Sequence, residues 1–162
     1  MSALRFAEGF TIVRVTPDAG QVRYTMAGWA MVGLYTALPG ALLEPWFLKL
    51  GIGNERAGNF FLALNVGIFV GIALWGRLAP FGHRAVQVGF GVAGALAAIN
   101  VAILAWFSEG PSILAAFAGL GVAVGLLVRT SARLFCHILS RSRAKIILNL
   151  AGASFAAGAV TA

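Results

Sequence analysis

Long uninterrupted apolar runs are the feature that most constrains the fold of this 162-residue chain. Each run is near or above the roughly 18 residues that indicate a membrane-spanning helix. The chain is 60% apolar and 10% charged, whereas about 25% of the residues of a soluble domain are charged. A soluble core helix would also present a polar face, and these runs present none. The sequence therefore predicts an all-α integral membrane protein.

The runs predict a polytopic helical bundle of about five transmembrane helices, at residues 25–48, 57–76, 85–107, 112–131 and 146–162. Residues 1–24 precede them as a cytoplasmic N-terminal tail. Pro39-Gly40 predicts a kink in the first span, because proline removes a helix hydrogen bond. The last run has about 17 residues and no polar flank, whereas a helix needs about 20 to cross. We therefore expect the sequence to be an incomplete N-terminal portion of a longer protein.

The distribution of basic residues predicts the orientation of the bundle. If the N-terminus is cytoplasmic, Lys49 and Arg56 are the only basic residues outside. The other ten are inside: Arg5, Arg14, Arg23, Arg77, Arg84, Arg129, Arg133, Arg141, Arg143 and Lys145. We expect a multi-pass protein of a bacterial-type inner membrane. The positive-inside bias orients it with the N-terminus in the cytoplasm. It also accounts for the net charge of +7 without nucleic acid, since aromatic and basic residues do not interleave on a polar face.

The sequence gives no support for catalysis or for a bound cofactor. It contains no Ser-His-Asp pattern, phosphate-binding loop or pair of carboxylates within a span. The single Cys136 excludes an internal disulfide and a cysteine metal cluster. His83 and His137 lie on the predicted cytoplasmic side, and neither has a carboxylate or second histidine at helical spacing. We therefore predict neither an enzyme nor a metal site.

Small and polar residues inside the spans suggest how the helices pack. Gly67 and Gly71 in the second span, and Gly121 and Gly125 in the fourth, form small-xxx-small pairs that allow helix backbones to approach closely. Glycine is also common in membrane helices, so both interpretations stay open. For the mid-span amides of Asn65 and Asn100, interhelical hydrogen bonding is favoured over substrate contact. Four tryptophans lie near predicted span ends and are expected to anchor at the interface: Trp29, Trp46, Trp75 and Trp106.

Two segments and their spacing carry a family resemblance. Leu50–Gly58 is similar to the segment before the second helix of the major facilitator superfamily, and 76–84 resembles its signature turn, G-x-L-A-D-R-x-G-R-R. The matching positions are Gly76, Leu78, Ala79, Gly82 and Arg84. Pro80 replaces the acidic residue and His83 replaces an arginine, so the contact that this acid makes in the family has no counterpart in this turn. Residues 25–162 thus resemble the N-terminal half of a major facilitator superfamily transporter.

The resemblance implies a secondary-active transporter of a small solute, with a central cavity lined partly by the first and fourth helices. Those helices offer five candidate residues: Tyr35, Thr36, Glu44, Arg129 and Arg133. Arg129 and Arg133 are four apart on one helix face and could hold a carboxylate or phosphate. The favoured alternative is that both extend to lipid headgroups at the cytoplasmic boundary. For Glu44, beside Pro45 and Trp46, an interfacial position is favoured over a cavity position.

The implied partners are the lipid bilayer, a small-molecule substrate, and either a missing C-terminal half or a partner membrane protein. A second hypothesis takes the length as genuine: the chain is then a small structural or accessory subunit of a larger membrane complex. Reading the gene beyond codon 162 separates the two. Continuation into six or seven further spans favours the transporter, and an immediate stop favours the subunit.

Overall fold

The computed structural model describes residues 19–51, 54–78, 83–106, 109–138 and 144–161. This part of the chain is helical apart from single residues at helix ends, and it contains no strand. The five helices are α1 (Ala19–Leu50), α2 (Asn54–Leu78), α3 (His83–Trp106), α4 (Gly110–Ile138) and α5 (Ala144–Val160). Each predicted span lies on one of them, and the ends differ by at most seven residues, at the end of α4. The all-α prediction is confirmed for the described residues.

Within the described residues, three helices are long and apolar enough to cross a membrane. Their apolar segments are Gly58–Arg77, Val86–Trp106 and Gly110–Leu134. Leu148–Val160 in α5 is apolar but shorter. Because such segments are rare in soluble domains, their presence indicates a membrane protein, in agreement with the composition.

Helix α1 continues through Pro39 without interruption and ends at Leu50. The Pro39 side chain is fully buried. Gly51 follows with a φ of 60°, a left-handed conformation in which glycine commonly terminates a helix. The helix is therefore continuous across Pro39, and the chain turns after α1 at Gly51.

Helix α4 is the central element of the bundle. It packs against α1, α2 and α3, whereas α5 packs against α1. Consistent with this position, 56% of the α4 span is buried, compared with 28% of the α2 and α3 spans. Within the core, the rings of Phe60 in α2 and Phe117 in α4 have centroids 5.4 Å apart and planes tilted by 35°. The core of the bundle is therefore built around α4.

Glycines bring α2 and α4 into backbone contact. A Cβ atom added to Gly67 would collide with the carbonyl oxygen of Ala118, and one added to Gly121 would collide with that of Leu64. One turn further on, Gly71 and Gly125 meet the partner helix in the same way. The two small-xxx-small pairs thus face each other, which confirms the close-packing interpretation of these glycines.

Helices α1 and α5 meet through the same kind of contact. A Cβ atom on Gly33 would collide with the carbonyl oxygen of Phe155, and one on Gly158 would collide with that of Ala30. Farther toward the start of both helices, the Ser154 hydroxyl donates a hydrogen bond to the Met26 sulfur at 3.4 Å. Residue numbers rise together along both helices, so α1 and α5 run parallel, as α2 and α4 do.

The two pairs share one register. In these contacts, Ala30 and Gly33 of α1 are equivalent to Ala118 and Gly121 of α4, which lie 88 positions later in the sequence. Likewise, Phe155 and Gly158 of α5 occupy the places of Leu64 and Gly67 of α2, each 91 positions earlier. Gly28 near the start of α1 lies against Ser131 near the end of α4, so the two pairs run in opposite directions. The four helices form an inverted repeat.

Burial follows the same equivalence between α1 and α4. The described buried residues of α1 are Thr25, Gly28, Val32, Gly33 and Pro39. The residues 88 positions later are also all buried: Ile113, Ala116, Leu120, Gly121 and Leu127. The repeat therefore extends from the backbone contacts to the face that each helix turns toward the core.

Candidate functional site

One end of the bundle collects the basic residues and is called the basic end here. The start of α1, the end of α2, the start of α3 and the end of α4 meet there. A Cβ atom on Gly28 would contact both Ser131 and Phe90, and one on Gly89 would contact both Trp75 and Thr130. The arginines of these segments with described side chains are Arg23, Arg77 and Arg129, which are exposed, and Arg133, which is half-buried.

Arg129 and Arg133 lie on α4 on either side of Ser131, at the level where Gly28 of α1 packs. Arg129 is exposed and Arg133 is half-buried. An exposed guanidinium at the end of an apolar span matches the headgroup-extending alternative. Tyr35 is seven residues beyond Gly28, or about 10 Å along the helix axis at 1.5 Å per residue. The structure therefore does not bring this arginine pair together with the mid-helix candidates.

Tyr35 and Thr36 lie near the centre of the inverted repeat. Gly28 of α1 contacts Ser131 of α4. In the register of the repeat, Ser131 is equivalent to Leu43 of α1. The centre of the α1–α4 contact therefore falls halfway between positions 28 and 43, at Tyr35 and Thr36. Tyr35 is half-buried and packs against both of the clusters of buried apolar residues that form the core. The Thr36 hydroxyl donates to the carbonyl oxygens of Val32, at 2.7 Å, and Gly33, at 3.0 Å. Of the two, Tyr35 has the side chain more available for a ligand.

Other predicted residues fall partly outside the described residues. Glu44 lies on α1, but its side chain is outside the described part of the chain. In the signature turn, α2 ends at Leu78 and α3 begins at His83, so Ala79 and Gly82 also lie outside it. The side chain of Arg84 does too. Gly76 is exposed, and a Cβ atom there would meet no atom within 4 Å.

The predicted interhelical hydrogen bonds of the mid-span amides are wrong. Asn65 donates to the Phe61 carbonyl oxygen at 2.8 Å, and Asn100 donates to that of Leu96 at 2.7 Å. Both acceptors lie four residues earlier on the same helix. Such a bond satisfies the amide without a partner helix, as serine and threonine commonly do. Asn100 still lies between helices, because its side chain fills the space beside Gly119 of α4.

The tryptophan anchors are only partly as predicted. Trp106 is 84% exposed at the end of α3, as expected for an interfacial residue. Trp75 is only 5% exposed and packs against Gly89 and Thr130. Its prediction as an interface anchor is therefore wrong, because Gly89 opens a space on α3 that accommodates the indole. Trp29 is half-buried, and its Nε1 atom is buried without a hydrogen-bond partner.

Buried hydroxyls at the basic end were not anticipated from the sequence. Thr25, Thr130 and Ser131 are all fully buried. Thr130 donates to the Leu126 carbonyl oxygen at 2.7 Å, whereas the Ser131 hydroxyl has no hydrogen-bond partner. The available signal was the adjacent Thr130-Ser131 pair after a long apolar run. A pair of neighbouring hydroxyls does not reveal which helices will cover them.

Among the described residues, grooves open between two pairs of helices. One, of about 450 Å³, lies between α1 and α5 and is lined by Trp29, Leu148, Ala151, Gly152 and Phe155. The other, of about 310 Å³, lies between α3 and α4 and is lined by Asn100, Ile103, Ser112 and Ala115. Within the described ranges, no three His, Cys, Asp or Glu residues come together as a metal site. The α1–α5 groove therefore offers an apolar surface for binding, and the α3–α4 groove adds the amide of Asn100 and the hydroxyl of Ser112.

Comparison with known proteins identifies no relative. No model of a known protein family matches the chain, and no curated protein or solved structure matches it either.

Proposed function

We propose that this chain is the N-terminal, major facilitator-like portion of a secondary-active transporter of a small solute. The observation that carries the proposal is the inverted repeat, in which α1 with α5 repeats the packing of α4 with α2 in one register. Many secondary transporters are built from repeats of opposite topology related by an axis in the membrane plane. In this proposal the basic end faces the cytoplasm, in accordance with the positive-inside rule.

Tyr35 is the first residue we assign to a substrate cavity. It is half-buried at the middle of the repeat, and transporter sites lie near the bilayer midplane. Thr36 is assigned a supporting role, since its hydroxyl bonds back to α1. Arg129 and Arg133 are assigned to the headgroup region on the cytoplasmic side, where arginine side chains extend toward lipid phosphates.

Uptake measurements test the proposal. Cells that lack the gene and cells in which it is restored are compared for accumulation of labelled sugars, amino acids, carboxylates and organic cations. We expect restored cells to concentrate at least one solute, and an uncoupler or sodium replacement to abolish this. Equal accumulation of every solute in the two strains would contradict the transporter function.

The two tyrosines of the chain give a matched pair for the site. Tyr35→Ala should lower uptake at an unchanged protein level, whereas Tyr24→Ala, at a side chain that is 67% exposed, should not. If both variants transport like the wild type, Tyr35 does not line the cavity. If uptake is also unchanged by Arg129→Ala and Arg133→Ala together, these arginines do not recognise an anionic substrate.

An accessory membrane subunit is the second candidate function. It is favoured by an uncovered face of α1, where Tyr24 and Met31 are 67% and 41% exposed. The equivalent positions of α4 are Ser112 and Gly119, and Gly119 is covered by Asn100 of α3. Co-purification with a larger membrane complex at fixed stoichiometry, with no change in solute uptake on deletion, would favour this function.

A further inference from the structure

The α1–α5 groove has a filled counterpart in the other half of the inverted repeat. By the register of the repeat, Trp29 corresponds to Phe117 and Ala151 corresponds to Phe60. Between α2 and α4, the rings of Phe60 and Phe117 pack with centroids 5.4 Å apart. Between α1 and α5, an alanine methyl group stands where a phenyl ring would fill the space beside Trp29. The groove is thus a position of the repeat from which one ring is missing.

The walls of this groove are apolar, and its size is suited to a ligand. It measures about 450 Å³, within the range of roughly 300–1,000 Å³ typical of ligand sites. Leu148 and Phe155 on its rim are 61% and 37% exposed, so the groove opens sideways from the bundle. In a bilayer, that opening faces acyl chains.

A positive charge lies at the same level of the bundle. Arg23 lies three residues before Met26, and Met26 lies four residues before Ala30, so the three lie on one face of α1. Met26 and Ala30 contact α5 at Ser154 and Gly158, which sets Arg23 level with Ala151. Its side chain is exposed, and a guanidinium is permanently charged and donates well to phosphate.

We propose that the α1–α5 groove binds one anionic phospholipid, with an acyl chain against Trp29 and Ala151 and the headgroup phosphate at Arg23. The apolar groove holds the chain in the space that Phe60 fills in the other half, and Arg23 selects the headgroup. The inference rests on the chain lying in a bilayer with its basic end at one surface. It does not depend on transport, so it can fail or hold independently of that function.

Quenching of tryptophan fluorescence tests the site directly. The intact protein is placed in two kinds of phosphatidylcholine vesicle. In one, a fraction of the phosphatidylcholine carries brominated acyl chains; in the other, the brominated lipid is phosphatidylglycerol. The contribution of Trp29 is the difference between the wild type and Trp29→Phe. We expect brominated phosphatidylglycerol to be preferred on the order of five-fold, since one basic side chain near an anionic surface contributes about 1 kcal/mol. In Arg23→Gln, the preference should disappear.

Filling the groove should expel the lipid. Ala151→Phe restores the missing ring, and Gly152→Leu fills the same groove at a position where a Cβ atom meets nothing within 4 Å. Both should reduce quenching of Trp29 by either lipid, whereas Ala153→Phe, at an exposed position of α5, should not. Mass spectrometry of the detergent-solubilised protein should find one retained phosphatidylglycerol in the wild type and in Ala153→Phe only.

Three results would overturn the proposal. In one, the two brominated lipids quench Trp29 equally in the wild type. In another, both filling variants keep their helical circular dichroism and are quenched like Ala153→Phe. In the third, no brominated lipid reaches Trp29, which would mean that another helix covers the groove. If Ala151→Phe alone fails to fold, Gly152→Leu decides the question.

Discussion

Substitution of Gly121 by alanine tests the backbone contact between α2 and α4. The new Cβ atom would collide with the carbonyl oxygen of Leu64 and would lie 3.0 Å from the Cα atom of Gly67. These are backbone atoms and cannot rotate away, so the two helices must separate. A gap of about 0.5–1 Å already forfeits a quarter to a half of the dispersion energy of an atom pair. Overpacking of this kind typically costs about 1–3 kcal/mol.

Gly91→Ala is the matched control, because a Cβ atom at Gly91 of α3 would meet nothing within 4 Å. Both substitutions gain the helix propensity of alanine over glycine, up to about 1 kcal/mol, so this term cancels in their difference. The free energy of unfolding is measured by titrating dodecyl sulfate into mixed micelles and following helical circular dichroism. We expect Gly121→Ala to be about 1–3 kcal/mol less stable than Gly91→Ala.

A double variant sharpens the same test. Once Gly121→Ala has separated the helices, Gly67→Ala should add little, because both methyl groups enter one interface and their effects are coupled. If Gly121→Ala proves as stable as Gly91→Ala, the close approach of α2 and α4 is refuted. If the two costs simply add, the glycines do not share an interface.

Two further predictions use the same unfolding measurement. Phe60→Ala should lower the free energy of unfolding by about 3–5 kcal/mol because it removes the ring contact with Phe117. Phe69→Ala, at a side chain that is 72% exposed, should change it by less than about 1 kcal/mol. Equal effects of the two substitutions would contradict the assignment of the core. Gly119→Ala should be destabilising because its methyl group enters the space of the Asn100 side chain, and adding Asn100→Ala should recover most of the loss. Absence of recovery would mean that this side chain does not fill the space.

The sequence predicted which segments are helical far better than which way each helix faces. Length and apolar composition were sufficient to place the ends of α1 to α5 within seven residues. The direction of each side chain was harder, because core and lipid are both apolar and membrane helices carry little amphipathic signal. Trp75 shows the consequence: its position near a span end suggested an interface, but the indole is turned into the core against Gly89.

The glycine pairs were predictable in kind because their spacing has a direct geometric meaning. Residues four apart lie on one helix face, so Gly67 and Gly71 had to form a single groove if they packed at all. Asn100 was less predictable, because an amide within a span can satisfy itself on its own helix. For the candidate site, the sequence identified Tyr35 and the arginines as polar groups at apolar positions, but the 10 Å or so of helix between their levels is a property of the packing of α1 against α4.

The inverted repeat was hidden in the sequence for a physical reason. Equivalent residues are 88 positions apart between α1 and α4, as for Gly33 and Gly121, and 91 apart between α2 and α5, as for Gly67 and Gly158, so no single offset aligns both helices. The contacts that define the repeat also run from glycine to backbone carbonyl, which places no demand on the side chain that owns the carbonyl. Leu64 can therefore be equivalent to Phe155, and Phe60 to Ala151, without a change in the register of the repeat. Backbone geometry preserves the repeat while side-chain volume diverges, and the α1–α5 groove lies where alanine replaces phenylalanine.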